Sequence, residues 1–114
     1  MTINEWSDAT AMAQAVQNKT VSPRELVEAT IREAERTNPK INAIVSQRYE
    51  KAIEEAETRD FSEKPFAGIP IFLKDLGQEQ AGEPSSAGSR LFTSYRAKES
   101  DNYVKKLEEL GFII

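Results

Sequence analysis

Three apolar residues in succession, Ile71-Phe72-Leu73, follow Gly68-Ile69-Pro70 and end on the charged pair Lys74-Asp75. Apolar side chains on consecutive positions, not alternate ones, fit a strand covered on both faces, as in a sheet with helices on either side. A second such segment, Phe112-Ile113-Ile114, comes directly after a helical pattern and Gly111. Helix, glycine and apolar strand in that order form the return half of a β-α-β unit whose second strand has only begun. The expected fold class is α/β: N-terminal helices followed by the first strands and helix of a mixed sheet flanked by helices, incomplete at the C-terminus. A strand ordinarily runs about five or six residues, so the chain reads as cut short.

The helices announce themselves by their caps. Ser7 and Asp8 precede Met12, Ala15 and Val16 at helical spacing, which predicts a short helix to about Asn18. Ser22-Pro23-Arg24-Glu25 is a capping box with proline at the first helical position, and Leu26, Val27, Thr30, Ile31 and Ala34 share one face behind it. Asn38-Pro39 should stop that helix, because the residue before a proline is pushed out of the helical region. The stretch Ile41 to Gln47 reads as a short strand or extended segment, and a third, mostly solvated helix is expected from about Tyr49 to Arg59. Ser100 and Asp101 cap a last helix built on Val104, Leu107 and Leu110, with Gly111 just past its end. Between these lies a region rich in Gly, Ser, Pro and Glu, from Gly77 to Ser94, of a length that is usually functional or disordered.

Composition narrows the chemistry. The 114 residues suffice for one domain, and a net charge of −4 offers no footprint for nucleic acid or for an anionic membrane. With no cysteine and no histidine, disulfides, thiolate or imidazole metal sites and histidine-based triads are excluded, and no cofactor is called for. The N-terminus has no secretory pattern and no apolar run could span a bilayer, so a cytoplasmic location is the default. Trp6 is expected in core or interface packing.

Lys74 stands at the carboxyl end of a buried strand, where α/β sheets build their sites, and it is the best candidate base in the inventory. The bland alternative is a charged strand end that surfaces and pairs with Asp75 or Glu79. Asp75 either neutralises Lys74 or accepts hydrogen bonds from loop amides; neighbours on a strand point to opposite faces, which favours the second role. Ser85 and Ser86 read as turn formers.

Gly68-Ile69-Pro70, three residues, Lys74-Asp75 and then Ala87-Gly88-Ser89 resemble the first motif of the amidase signature family. Ser22-Pro23-Arg24-Glu25-Leu26, the run Ile41 to Val45 and the helix before Gly111 are similar to that family as well, in the same order, and together span nearly the whole chain. The resemblance implies an enzyme that hydrolyses the C–N bond of a small-molecule carboxamide with a serine nucleophile, a second serine in a cis peptide and a lysine base matching Lys74. It implies supporting positions at Asp75, Gly88 and Ser89, burial of the lysine, and two serines that lie downstream of residue 114. Residues 1–114 would be the N-terminal portion of the amidase domain, 1–60 mainly helical and 61–114 the start of the sheet core with the lysine motif. Such a chain carries the base and lacks the nucleophile, so it is expected to be inactive alone.

Two other readings stand beside this one. A non-catalytic fragment could associate with itself, or with a partner such as the missing C-terminal part, through an incomplete sheet edge and the amphipathic second helix. The A-type amidotransferase subunit of tRNA-dependent Gln or Asn synthesis usually continues Lys-Asp-Asn, with Thr-Thr before the small-residue turn. Here the chain reads KDLGQEQAGEPSSAGSR, closer to stand-alone amidases of the family.

Overall fold

In a computed structural model that describes residue 4 and residues 6–114, the fold is built from four α-helices and one 3-10 turn. The helices are α1 (Ala9–Gln17), α2 (Pro23–Ile41), α3 (Tyr49–Thr58) and α4 (Asn102–Leu110), and the 3-10 turn spans Arg90–Phe92. Asp8 caps α1 through a bond from the Ala11 N–H, and Asp101 caps α4 through one from Val104. The capping box at α2 is complete: the Ser22 side chain accepts from the Glu25 N–H at 3.2 Å, and the Glu25 carboxylate accepts from the Ser22 N–H at 2.7 Å. That bond to the Ser22 N–H, with the one to its side chain, holds the Glu25 carboxyl below its usual range.

Helix α2 passes its proline. Pro39 lies in the last turn, where the lost N–H costs a single intrahelical bond, and the helix ends only at Asn42, which takes the left-handed conformation at φ 49°. The segment after it forms no strand. The Asn38 side chain accepts from the Ile44 N–H at 2.9 Å, so a local amide oxygen takes the place of a neighbouring strand.

The expected mixed sheet is likewise not formed. Among the described residues, β structure is limited to two isolated bridges, Pro70 with Ile113 (parallel) and Pro84 with Arg96 (antiparallel). At the first bridge Ile113 donates to the Ile69 carbonyl at 2.9 Å and Ile71 donates to the Ile113 carbonyl at 2.8 Å. The ladder goes no further among the described residues: the Ile69 N–H, on the side facing the partner segment, donates to the Phe66 carbonyl at 3.2 Å instead, and the Lys74 N–H turns to the Gln78 side chain at 2.9 Å. Nor is the segment buried on both faces: Phe72 is 50% exposed, while Ile71 and Leu73 are half-buried. Trp6, expected in packing, is 86% exposed.

Two adjoining apolar clusters hold the helices on this bridge. Leu26, Ile69, Leu107 and Phe112 form one, with Met12, Val16, Phe66 and Leu110 against it. Val27, Ala52 and Ile113 form the other, with Ile31, Ile53 and Phe61. The Phe66 and Phe112 rings stack at 4.8 Å between centroids.

The connector from Lys64 to Gly68 threads between the start of α2 and the end of α4. Phe66 donates to the Leu110 carbonyl and Gly68 to the Gly111 carbonyl, both at 2.9 Å, which satisfies groups that a helix end leaves open. Gly68 is at φ +72°, and a Cβ placed on it would lie 2.3 Å from Pro23 Cβ. Gly82 is also left-handed, at φ +79°, but a Cβ there meets nothing within 4 Å. Gly68→Ala should therefore lower stability clearly more than Gly82→Ala, which carries only the backbone cost of about 1 kcal/mol. Thermal unfolding of the two variants side by side checks this, and equal midpoints would contradict the close approach.

Candidate active site

A groove of about 960 Å³ runs along the exposed flank of α2 and is floored by the bridge residues. Its walls are largely apolar, among them Ile41, Ile44 and Val45 on one side and Pro70, Ile71 and Phe72 on the other. Lys74, Asp75 and Ser85 line its rim.

The turn after Phe72 separates two adjacent charges. Asp75 is half-buried and faces the loop: its carboxylate accepts from the Ser86 N–H at 2.7 Å, from the Ser86 hydroxyl and from the Gly88 N–H at 3.4 Å. Those bonds, the Ser86 hydroxyl foremost, hold the Asp75 carboxyl below its usual range. Lys74 is exposed, and among the described residues its ammonium makes no ion pair with Asp75 or Glu79. The burial that the resemblance implies for the lysine is not provided by these 114 residues.

The serines have other partners. Ser86 is bound to Asp75 and also accepts from the Ser89 N–H at 2.8 Å. Ser89 caps the 3-10 turn through the Leu91 N–H at 3.2 Å, and Gly88 stands at φ +69° in the tight turn before it. Of the sequence-picked positions, Lys74 and Asp75 thus share the groove rim, whereas Gly88 and Ser89 shape the loop that Asp75 anchors. Among the described residues no cluster of His, Cys, Asp or Glu is fit to hold a metal, and no helix is long and apolar enough to cross a membrane.

One set of residues escaped sequence reasoning altogether. Arg59 donates to the Phe112 carbonyl at 2.8 Å and to the Glu108 carbonyl at 3.0 Å, closing the end of α4, and its guanidinium lies over the Phe61 ring. Arg48 pairs with Glu55 at 2.7 Å and Glu83 at 3.4 Å and bonds the Ile114 carbonyl. Burial works against ionisation of Glu83, yet Lys51, at 2.6 Å, and Arg48 hold its carboxyl below the usual range. Spacing along a solvated helix gave no sign of these roles, since the carbonyls of Glu108, Phe112 and Ile114 and the carboxylate of Glu83 all lie in other parts of the chain.

Asp75→Asn tests the anchor. The folded carboxyl titrates below its ordinary value of 3.8, so its stabilisation is fully present above that pH and is lost as pH falls through the lower folded value. An asparagine can accept with only one oxygen, so the variant should lose about 1–3 kcal/mol near neutral pH. The gap between wild type and variant should then narrow below about pH 4. Chemical denaturation at pH 7 and pH 3 measures both, and a gap that is the same at the two pH values would refute the carboxylate's role.

Comparison with known proteins gives the family. The family model described as Amidase matches residues 25–114. The 6-aminohexanoate-cyclic-dimer hydrolase of Pseudomonas sp. (strain NK87) is 37% identical over 114 residues, covering 98% of this chain and 22% of that protein. The lipoamidase of Enterococcus faecalis is 36% identical over 112 residues, covering 96% of this chain and 15% of that one. A solved structure of 6-aminohexanoate cyclic dimer hydrolase complexed with substrate superposes with a TM-score of 0.88 at 35% identity, over 97% of this chain and 23% of that chain. This chain therefore spans about a fifth of the length of the relatives it matches. On the strength of the family match and of relatives above 30% identity across almost all its residues, the chain belongs to the amidase family of hydrolases.

Proposed function

We propose that this chain supplies the general base of an amide hydrolase, Lys74, to an active site whose nucleophile lies outside these residues. One observation carries the reading: Asp75 is committed to the loop, which leaves the adjacent ammonium at the groove rim with no counter-ion among the described residues. A lysine without a carboxylate partner is the one whose proton is lost most easily once water is removed from around it. In a longer protein that contains this segment, chain from outside these residues would remove water from around Lys74.

The chemistry then runs through three groups. Neutral Lys74 accepts a proton from a bridging serine, which takes the proton of the nucleophilic serine as that oxygen attacks the carboxamide carbon. Backbone N–H groups stabilise the oxyanion, and collapse breaks the C–N bond as the proton returns to the leaving amine. Water, deprotonated by the same relay, releases the acid. Ser85, Ser86 and Ser89 are not the serines of this scheme, because Ser86 and Ser89 are engaged in the loop and Ser85 precedes them in the same turn. The substrate is a small carboxamide, and the reaction needs no cofactor.

The test uses the full-length hydrolase that contains this segment. Lys74→Ala should lower amide turnover by about 10³-fold or more, in line with removal of a general base. Lys74→Arg should be equally poor, since a guanidinium keeps its positive charge but does not give up its proton. Arginine activity within about tenfold of wild type would leave only an electrostatic role and sink the base assignment. The 114-residue chain alone should turn over no amide.

A further inference from the structure

On the far side of the Lys74–Gly77 turn lies a second, smaller cleft of about 270 Å³, lined by Leu76, Gly77, Glu79, Ser85, Phe92 and Tyr95, with Ala87 at its edge. Ser85 lines both this cleft and the groove, so the two adjoin there. Its rim is apolar and open: Leu76, Phe92 and Tyr95 are all exposed. Its one charged lining residue is an acid, Glu79, and no basic residue lines it.

Glu79 is held rather than loose. Its N–H donates to the Asp101 carboxylate at 2.9 Å and its carbonyl accepts from the Asp101 N–H at 3.0 Å, which fastens it to the cap of α4. The Tyr95 hydroxyl donates to its Oε2 at 3.1 Å, a bond that keeps the phenol protonated to higher pH. Among the described residues no group bonds Oε1 and no cation pairs with the carboxylate. The backbone that carries Phe92 and Tyr95 is fixed, since the Tyr95 N–H donates to the Phe92 carbonyl at 3.0 Å and Ser89 caps the turn that carries Phe92.

We propose that this cleft binds a small organic ammonium ion, held between the Phe92 and Tyr95 rings and the free oxygen of Glu79. Aromatic faces attract a cation, and a carboxylate supplies the counter-charge. An apolar rim prefers an alkylammonium to a hydrated metal ion, which would have to shed water against Leu76 and Phe92. An anion would be repelled by the Glu79 carboxylate, and a neutral ligand would gain nothing from its charge. The site is separate from Lys74 and does not depend on the hydrolytic reading.

Tetramethylammonium chloride is the probe, titrated into the protein and followed by amide and aromatic NMR shifts, with sodium chloride at matched ionic strength as the control. Saturable shifts should appear at Leu76, Gly77, Phe92 and Tyr95 with tetramethylammonium and not with sodium. Glu79→Gln and Phe92→Ala should each weaken binding by about tenfold. Tyr95→Phe keeps the ring and frees the second Glu79 oxygen, so it should bind at least as tightly as wild type. The inference falls if sodium gives the same shifts, if no shift saturates, or if Glu79→Gln binds as well as wild type. Should Glu79→Gln disturb shifts throughout the protein, the Tyr95→Phe result decides: a tenfold loss there overturns the site.

Discussion

Everything in this fold is referred to one pair of hydrogen bonds, those that Ile113 exchanges with Ile69 and Ile71 on either side of Pro70. Each is worth about 0.5–1.5 kcal/mol net, whereas burial of an isoleucine side chain contributes about 1.5–3 kcal/mol. Ile69 and Ile113 are each only 1% exposed, so burial supplies most of the stabilisation and the bonds decide the register. Around that register the other devices are arranged: Gly111 turns the chain out of α4, Arg59 holds the carbonyls on both sides of it, and Phe66 stacks on Phe112.

From the bridge the chain has only a few residues in which to reach Lys74, and the turn that follows divides the labour between two neighbouring charges. The acid is spent on structure, binding a serine and a glycine of the loop. Lys74 is left on the groove rim, where among the described residues no carboxylate pairs with its ammonium. A paired lysine would be a worse proton acceptor, because a nearby carboxylate favours the ammonium form. Under the proposed reading, the commitment of Asp75 to the loop is what leaves Lys74 available as a base.

Local signals were legible in the sequence and long-range ones were not. Caps at Asp8, Ser22 and Asp101 and the stop at Gly111 are written in adjacent residues, because the groups they satisfy lie within one turn. The lysine motif and its likeness to amidases were equally plain. The sheet misled, since consecutive apolar residues at 71–73 and 112–114 state a preference that only added neighbouring strands could satisfy. Pro39 misled in a smaller way: in a last turn a proline loses one bond, and Asn42 in the left-handed region marks the true end. Arg48 and Arg59 were invisible because their partners are carbonyls and carboxylates brought near only by folding.

The contact of Gly68 with Pro23 has a consequence for how such sequences can drift. Pro23 both opens α2 and forms the surface on which the connector lies, and its Cβ, an atom that every residue but glycine carries, already bars a side chain at position 68. The dependence between these two distant sites runs one way: residue 23 can change while glycine stays at 68, but a side chain at 68 can enter only if the start of α2 moves away.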